Sequence, residues 1–496
     1  MLRIRTIKTG SGARAVQVIY YLNRKRVIYK HIGSAKTDSE LETMLVVAQD
    51  FIDNYAPTLP FEIETKYDNL LYLDKADFLG VYYTYLYEIL SAIIKKVGLS
   101  GINKQFLLDL VIMRILDPSS KLRSIELLET CFGIKHSRKS FYKSARNWLS
   151  LKEEVEQIVI KFLKENYDFN FELLFYDVTT LYFETFDADE FRKQGFSKDN
   201  KSLQPQILVA LMVTPEGFPV GYEVFPGNTF EGHTILPVVK AFIQKHSIKQ
   251  FTIVADAAMI SNDNVEELRK AGINYIVGAR LGNIGNELFQ RIHSSLVRED
   301  GNTIRLQTEK GYLICSFSNT RYRKDKYEME KQIQRAEILL KEPGKIKKVK
   351  FLKTDNKEPA LNNELINRTK VLLGIKGYYT DLEESIVDNE TVIRRYHDLY
   401  KIEQAFRISK NDLKTRPIFH FKEEPIKLHL LICFMALVIS KHIELTTNVS
   451  IKKFVTELKK VTDARMFSQI TNKEMRIRAK MMPIVEDLIR KLNLPH

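Results

Sequence analysis

"FELLFYDVTTLYFE", residues 171–184, sets the reading of this chain. Its apolar and β-branched residues run almost without interruption, as in a strand buried on both faces. Asp177 interrupts them. An ionised carboxylate in such surroundings is costly unless it is paired, hydrogen-bonded or metal-bound, and "LFYDVTT" contains no Lys or Arg. Downstream, "QILVALMVTPEGFPVGYEVFPGN" reads as two strands about a "TPEG" turn. "HTILPVVKAFIQKHSI" reads as a helix, with His233 and Asn228 in the loop before it read as a helix-entry cap rather than ligands. "QFTIVADAAMI" is a buried strand ending near a second acid, Asp256, again without a neighbouring cation. "NDNVEELRKAG" is a helix closed by Gly272, and "INYIVGARL" is a further strand. The order β–β–β–α–β–α–β predicts an α/β fold, with a mixed sheet covered by helices on both faces.

A third acid stands in "YHDLYKIEQAFRISKNDLKTRPIFH", Tyr396 to His420. With 3.6 residues per turn, Tyr396, Tyr400, Glu403, Arg407 and Lys410 share one stripe of a continuous helix. Ile402, Ala405, Phe406 and Ile408 form an apolar stripe suited to a core. Alone, the first stripe reads equally as a solvated face with a Glu403–Arg407 pair. Taken with Asp177 and Asp256, metal ligation is the better account. Mg²⁺ favours hard oxygen ligands, and two such ions can activate an attacking oxygen and stabilise a leaving one in phosphoryl transfer.

The 496 residues call for two to four domains. With 44% hydrophobic and 28% charged residues, the chain is globular rather than disordered. Its net charge of +14 favours a polyanionic partner. Residues 1–36 hold nine Lys or Arg and no Asp or Glu, and a second basic block runs from Arg321 to Lys353. Cys131, Cys315 and Cys433 lie far apart without paired metal spacing, as in a reduced intracellular protein with buried thiols. The N-terminus has no apolar signal core, and "LHLLICFMALVIS" (Leu428–Ser440) is short for a membrane span and reads as a buried helix. A cytoplasmic protein is expected.

The regions outside the core are less sharply patterned. "ARAVQVIYYLNRKRVIYKHI" (13–32) predicts a basic hairpin about "NRKR" within a β-rich segment, 1–65. Residues 66–168 read as helical. Within them, Arg123–Leu149 has the outline of a helix-turn-helix whose basic second helix would suit a major groove. The core divides into 169–282 and 371–445 around an insertion, 283–370, with strands at "TIRLQTEKGYLICSFS" and a basic helix after Asp325. "VLLGIKGYYT" supplies one more strand, and 446–496 reads as a basic tail of amphipathic helices.

"YDVTTLYFE", "GNTFEGHT", "VADAAMIS" and the Tyr396–Lys410 segment, in this order, resemble a DDE transposase of bacterial insertion sequences, most similar to the family 4 superfamily. That family's third block reads Tyr-x2-Arg-x3-Glu-x6-Lys. The resemblance spans about residues 170–445. It implies a ribonuclease-H-like catalytic core interrupted by a mostly β insertion, and an N-terminal DNA-binding region. By position, it makes Asp177, Asp256 and Glu403 the catalytic, metal-binding triad for two Mg²⁺ ions, with Mn²⁺ substituting. Tyr396 and Lys410 match the signature and would contact DNA. The signature Arg is Leu399 here, so Arg394, Arg395 or Arg407 would have to supply that charge.

The function so implied is binding of the element's terminal inverted repeats, hydrolysis at its ends, and joining of the freed 3′-hydroxyls to target DNA. Double-stranded DNA is the implied partner, with synapsis by a homodimer or larger assembly in the nucleoid. Two other readings remain at this stage: a metal-dependent nuclease of the same fold without strand transfer, and a non-catalytic DNA-binding repressor derived from a mobile element.

Overall fold

Strands β1 (Arg3–Lys8), β2 (Arg14–Leu22) and β3 (Lys25–Ala35) form an antiparallel meander. The computed structural model describes every residue except 1, 23–24, 54–71, 168–170, 198–200, 202, 247, 249, 258–261, 342–348, 354–359 and 495–496. The expected hairpin is thus present as β2 and β3, while Asn23 and Arg24 of its turn lie outside the described residues. Helix α1 (Asp38–Asp53) lays Met44 and Ala48 on Val16, Val18 and Ala35, a small separate core.

After β4 (Ala76–Tyr82) come five helices: α2 (Thr84–Val97), α3 (Gln105–Leu116), α4 (Lys121–Phe132), α5 (Arg138–Trp148) and α6 (Lys152–Asn166). The strand β4 corrects the expectation of helix from Leu71 onward. It is too exposed and too short of helical periodicity to bury one face, and it gains its bonds from a distant partner. The Ser137 side chain caps α5 by accepting from the Ser140 N–H. Phe141 and Trp148 fix α5 against Phe106, while Arg138, Lys139 and Arg146 stay exposed.

Among the described residues the main sheet has eight strands: β5 (Leu173–Tyr182), β6 (Gln206–Val213), β7 (Pro219–Pro226), β8 (Thr252–Ala255), β9 (Asn274–Ala279), β10 (Thr303–Thr308), β11 (Gly311–Phe317) and, after the two-residue pair β12 (Leu352–Lys353) and β13 (Ala360–Leu361), β14 (Ile375–Thr380). Their spatial order is β10-β11-β14-β9-β8-β5-β6-β7. β5 pairs antiparallel with β6 and parallel with β8, so the sheet is mixed, as the order of elements predicts. Helices α7 (Ile235–His246) and α8 (Asn262–Lys270) fall at the expected positions.

The insertion is not mostly β. Helices α9 (Asn286–Ser295), α10 (Asn319–Lys341) and α11 (Asn363–Val371) dominate it. Its two long strands, β10 and β11, extend the main sheet through β14 instead of building a sheet of their own. The reason is apolar: Leu306, Leu313 and Cys315 join Leu281, Ile292 and Ile375 in one buried cluster.

Helices α12 (Asn389–His397) and α13 (Tyr400–Arg407) replace the single helix expected from Tyr396 to Lys410. Tight bonds from Leu399 N–H to the Tyr396 carbonyl and from Ile402 N–H to the Leu399 carbonyl mark the break. A π-turn follows over Ile408–Asp412, where the Leu413 N–H reaches the Ile408 carbonyl. The predicted apolar stripe holds, with Ile402, Ala405, Phe406 and Ile408 all buried. Helix α14 (Glu423–Thr447) is long and apolar enough to cross a membrane, yet its apolar stretch is buried in the protein, where it packs on α3 and β7.

The C-terminal stretch corrects another expectation. Between α15 (Ile451–Leu458) and α16 (Pro483–Leu492) stands a hairpin, β15 (Asp463–Ser468) and β16 (Lys473–Arg478), not a helix. β15 pairs antiparallel with β4, and Arg478 bonds the buried Asp463 carboxylate at 2.8 and 3.0 Å, which anchors the turn of chain. The chain divides into two compact units. The first comprises Met1–Ile89, Glu129–Ile134 and Thr456–Leu488; the second comprises Leu90–Leu128, Lys135–Val455 and Ile489–His496. Of the three thiols expected to be buried, Cys315 and Cys433 are, and Cys131 is half-buried.

Candidate active site

Asp177 stands midway along β5, the strand that pairs antiparallel with β6 and parallel with β8. The β5–β8 register runs from Leu173 opposite Thr252 to Tyr176 opposite Ala255. Asp177 and Asp256 each follow directly on the last pair of that register. The Asp177 Oδ1 accepts from the Val178 N–H at 2.8 Å, and the Asp256 Oδ1 from the Ala257 N–H at 2.7 Å. These two acids are the most legible part of the site.

Glu403 arrives from the opposite side of the sequence. Helix α13 packs over β5, and Glu403 lies exposed on it. Asp177 and Glu403 line one open cleft with Arg407, Lys410, Asn411 and Arg416. The π-turn bears Lys410 into this cleft, in keeping with the frequency of such turns at functional positions. Arg416, which sequence patterning does not single out, also covers the Tyr182 ring with its guanidinium 5.3 Å from the ring centre. Leu399, at the signature Arg position, is buried, and Arg395 is half-buried outside the cleft lining. Of the cations weighed for that position, Arg407 is the one in the cleft.

Tyr396 does not lie on an exposed stripe with Tyr400. The break at 398–399 separates them, so Tyr400 is 55% exposed and Tyr396 only 9%. Instead the Tyr396 hydroxyl donates to Asp256 Oδ1 at 3.1 Å. Burial first, and the Asp256 charge second, push the phenol pKa up and keep it a donor. Its path is opened by Gly278 on β9, where an added Cβ would stand 2.5 Å from the Tyr396 hydroxyl oxygen. Neither Gly278 nor this bond is visible from local sequence, because both depend on α12 crossing β8, β9 and β14. His233 and Asn228 are exposed in the loop before α7, and that loop ends in a 3₁₀ turn at Glu231–His233.

The donor chemistry fits a hard divalent cation: two carboxylates directly after the last pair of the β5–β8 register, and a third that shares a cleft with Asp177. Among the described residues, however, no three His, Cys, Asp or Glu side chains are gathered into a ready metal cage. Like charges stay apart unless a cation offsets them.

Residues 170–439 match the family described as Transposase DDE domain, more than half of the chain. The chain belongs to that family. A comparison with curated proteins finds no match. Among solved structures, the chain is similar to the piggyBac transposase in its synaptic complex with hairpin DNA, with 12% identity over 83% of this chain and 81% of that one, at a TM-score of 0.41. It is also similar to the Mos1 transposase in a paired-end complex with the left transposon end, with 11% identity over 49% of this chain and 67% of that one, at a TM-score of 0.16. Both likenesses are too low to align sites residue by residue.

Proposed function

We propose that this chain is the transposase of a bacterial insertion sequence of the family 4 type, built on a ribonuclease-H-like core. It binds the terminal inverted repeats, hydrolyses the phosphodiester bonds at the element's ends and joins the 3′-hydroxyls to target DNA, with two or more subunits holding the ends together. One observation carries this reading: Asp177 and Asp256 directly follow the last pair of the β5–β8 register, Tyr176 and Ala255, while Asp177 shares a cleft with Glu403 and three cations. A mixed sheet whose first three strands are antiparallel and whose next two run parallel supports the core assignment. Asp177, Asp256 and Glu403 would hold Mg²⁺, or Mn²⁺ in its stead. When bound, a pair of such ions supplies charge stabilisation to the attacking and leaving oxygens.

The chain's own residues do the rest. Arg407, Lys410 and Arg416 attract and orient the DNA backbone by charge, Arg as a fork and Lys as a point. Tyr396 holds the Asp256 carboxylate in a fixed orientation.

The test is cleavage and joining of duplexes carrying the DNA that flanks the coding sequence, in Mg²⁺. Asp177→Asn, Asp256→Asn and Glu403→Gln are each expected to abolish both reactions while leaving duplex binding within about two-fold. The basis is that each swap removes a carboxylate charge and keeps the shape. Near-normal nicking by any one variant removes that residue from the triad. Cutting without joining of pre-cut ends turns the reading to a nuclease, and binding without cutting turns it to a repressor.

A further inference from the structure

Strand β14 carries Lys376 and Tyr378 at alternate positions, so both face the same side of the sheet. Helix α12 packs on that side and brings Tyr396. The Lys376 Nζ lies 4.7 Å from the centre of the Tyr396 ring and 5.5 Å from that of Tyr378. The two rings meet edge to face, 5.0 Å apart, and the Tyr378 hydroxyl is fixed by His397 Nε2 at 3.0 Å. A half-buried ammonium is therefore cradled by two immobilised rings, an arrangement favoured by their quadrupoles. One of those rings is the same Tyr396 whose hydroxyl donates to Asp256.

Burial first, and the Arg321 guanidinium of α10 second, lower the Lys376 pKa, and the Asp256 and Glu403 carboxylates oppose them. A lysine kept only to pack could be an apolar residue at less cost, since burial penalises its charge. The Lys376 amino group overlies Tyr396, whose hydroxyl meets Asp256, so it stands on the Asp256 flank. Arg407, Lys410 and Arg416 line the cleft on the Asp177 flank. The two flanks are complementary.

Resting on the transposase reading, we propose that Lys376 is a further catalytic residue. Its ammonium meets a non-bridging oxygen of the DNA phosphate bound beside Asp256, opposite the cations of the cleft. No bond is made or broken by it; it offsets charge that grows on that phosphate in the transition state.

The test uses the full chain and fluorescent duplexes of the flanking DNA, uncut and pre-cut, with Lys376→Met, Lys376→Gln and Lys376→Arg. Met keeps the packing against the rings but not the charge. Lys376→Met is expected to cut roughly 100-fold more slowly at saturating DNA, the scale of losing one charge-stabilising donor. Its slope of log affinity against log salt should fall by about one. Lys376→Arg should keep most of both, and Lys376→Gln should repeat the loss if Met disturbs the strand. A wild type that cuts, with Lys376→Met equal to it in rate and slope, overturns the assignment and leaves the transposase reading standing. A wild type that neither binds nor cuts overturns both. A rate lost equally in Met, Gln and Arg, with an unchanged slope, makes Lys376 a structural prop and also overturns it.

Discussion

Tyr396 reaches Asp256 because residue 278 has no side chain. Gly278→Ala is therefore expected to displace the ring and to slow cutting as Tyr396→Phe does, by about ten-fold for one lost hydrogen bond to a charged group. If Gly278→Ala cuts normally while Tyr396→Phe does not, the ring has room that the close approach denies. A second residue-scale expectation concerns acid. His442 is buried, its Nδ1 is 2.6 Å from the Tyr167 hydroxyl, and its Nε2 has no hydrogen-bond partner among the described residues. Burial, then Lys96, lowers its pKa to about 4. Because the unfolded chain binds that proton more readily, stability is full above about pH 6.5 and falls as pH drops towards 4. Urea unfolding at pH 7 and pH 5 should show the loss, and His442→Gln should reduce it; an equal loss in the variant assigns it to other groups. Asp177 and Asp256 are legible in the sequence because an acid inside an apolar strand demands an explanation. Gly278, Lys376 and Arg416 are not, since each acquires its meaning from a side chain 20 to 239 positions away.

At the scale of elements, apolar periodicity locates every strand from β5 to β9, along with the buried run of α14. It fails where a segment's partner is remote. β10 and β11 are legible as strands, but the Lys-rich surroundings conceal that they widen the main sheet. The β15–β16 hairpin escapes because Arg465, Arg476 and Arg478 give a helix-like basic pattern to strands of which only one can pair with β4. The α12–α13 break escapes because its residues are ordinary helix formers, and only packing on two separate parts of the sheet requires the turn. Helix α14 is the element whose burial sustains the second unit. Ile432, fully buried on it, offers a direct measure: Ile432→Ala is expected to cost about 2–5 kcal/mol in urea unfolding. A loss under about 0.5 kcal/mol would mean that the helix surroundings collapse around the gap.

At the scale of the whole molecule, the first unit carries the basic N-terminal meander and the second carries the candidate site. Arg3, Lys25 and Arg26 are exposed on the N-terminal meander, where they can meet phosphates without disturbing its core. Changing all three to Gln is expected to lower the salt slope of DNA binding by up to about 2.7, at about 0.9 for each phosphate no longer neutralised. An unchanged slope would make this surface a solvated one. Removing the whole basic segment is a poorer test, since Val16, Val18 and Ala35 hold α1 in place. The strand order of the main sheet has a further consequence, for the timing of synthesis. Asp177 and Asp256 leave the ribosome early, while Glu403 follows Asp177 by 226 positions, and Arg407, Lys410 and Arg416 come later still. A chain released between Asp256 and Asn389 holds the basic meander and two of the three acids, but none of the cleft's cations and no Tyr396. Under the proposed function, such an incomplete product would compete for DNA with the finished protein without completing a centre.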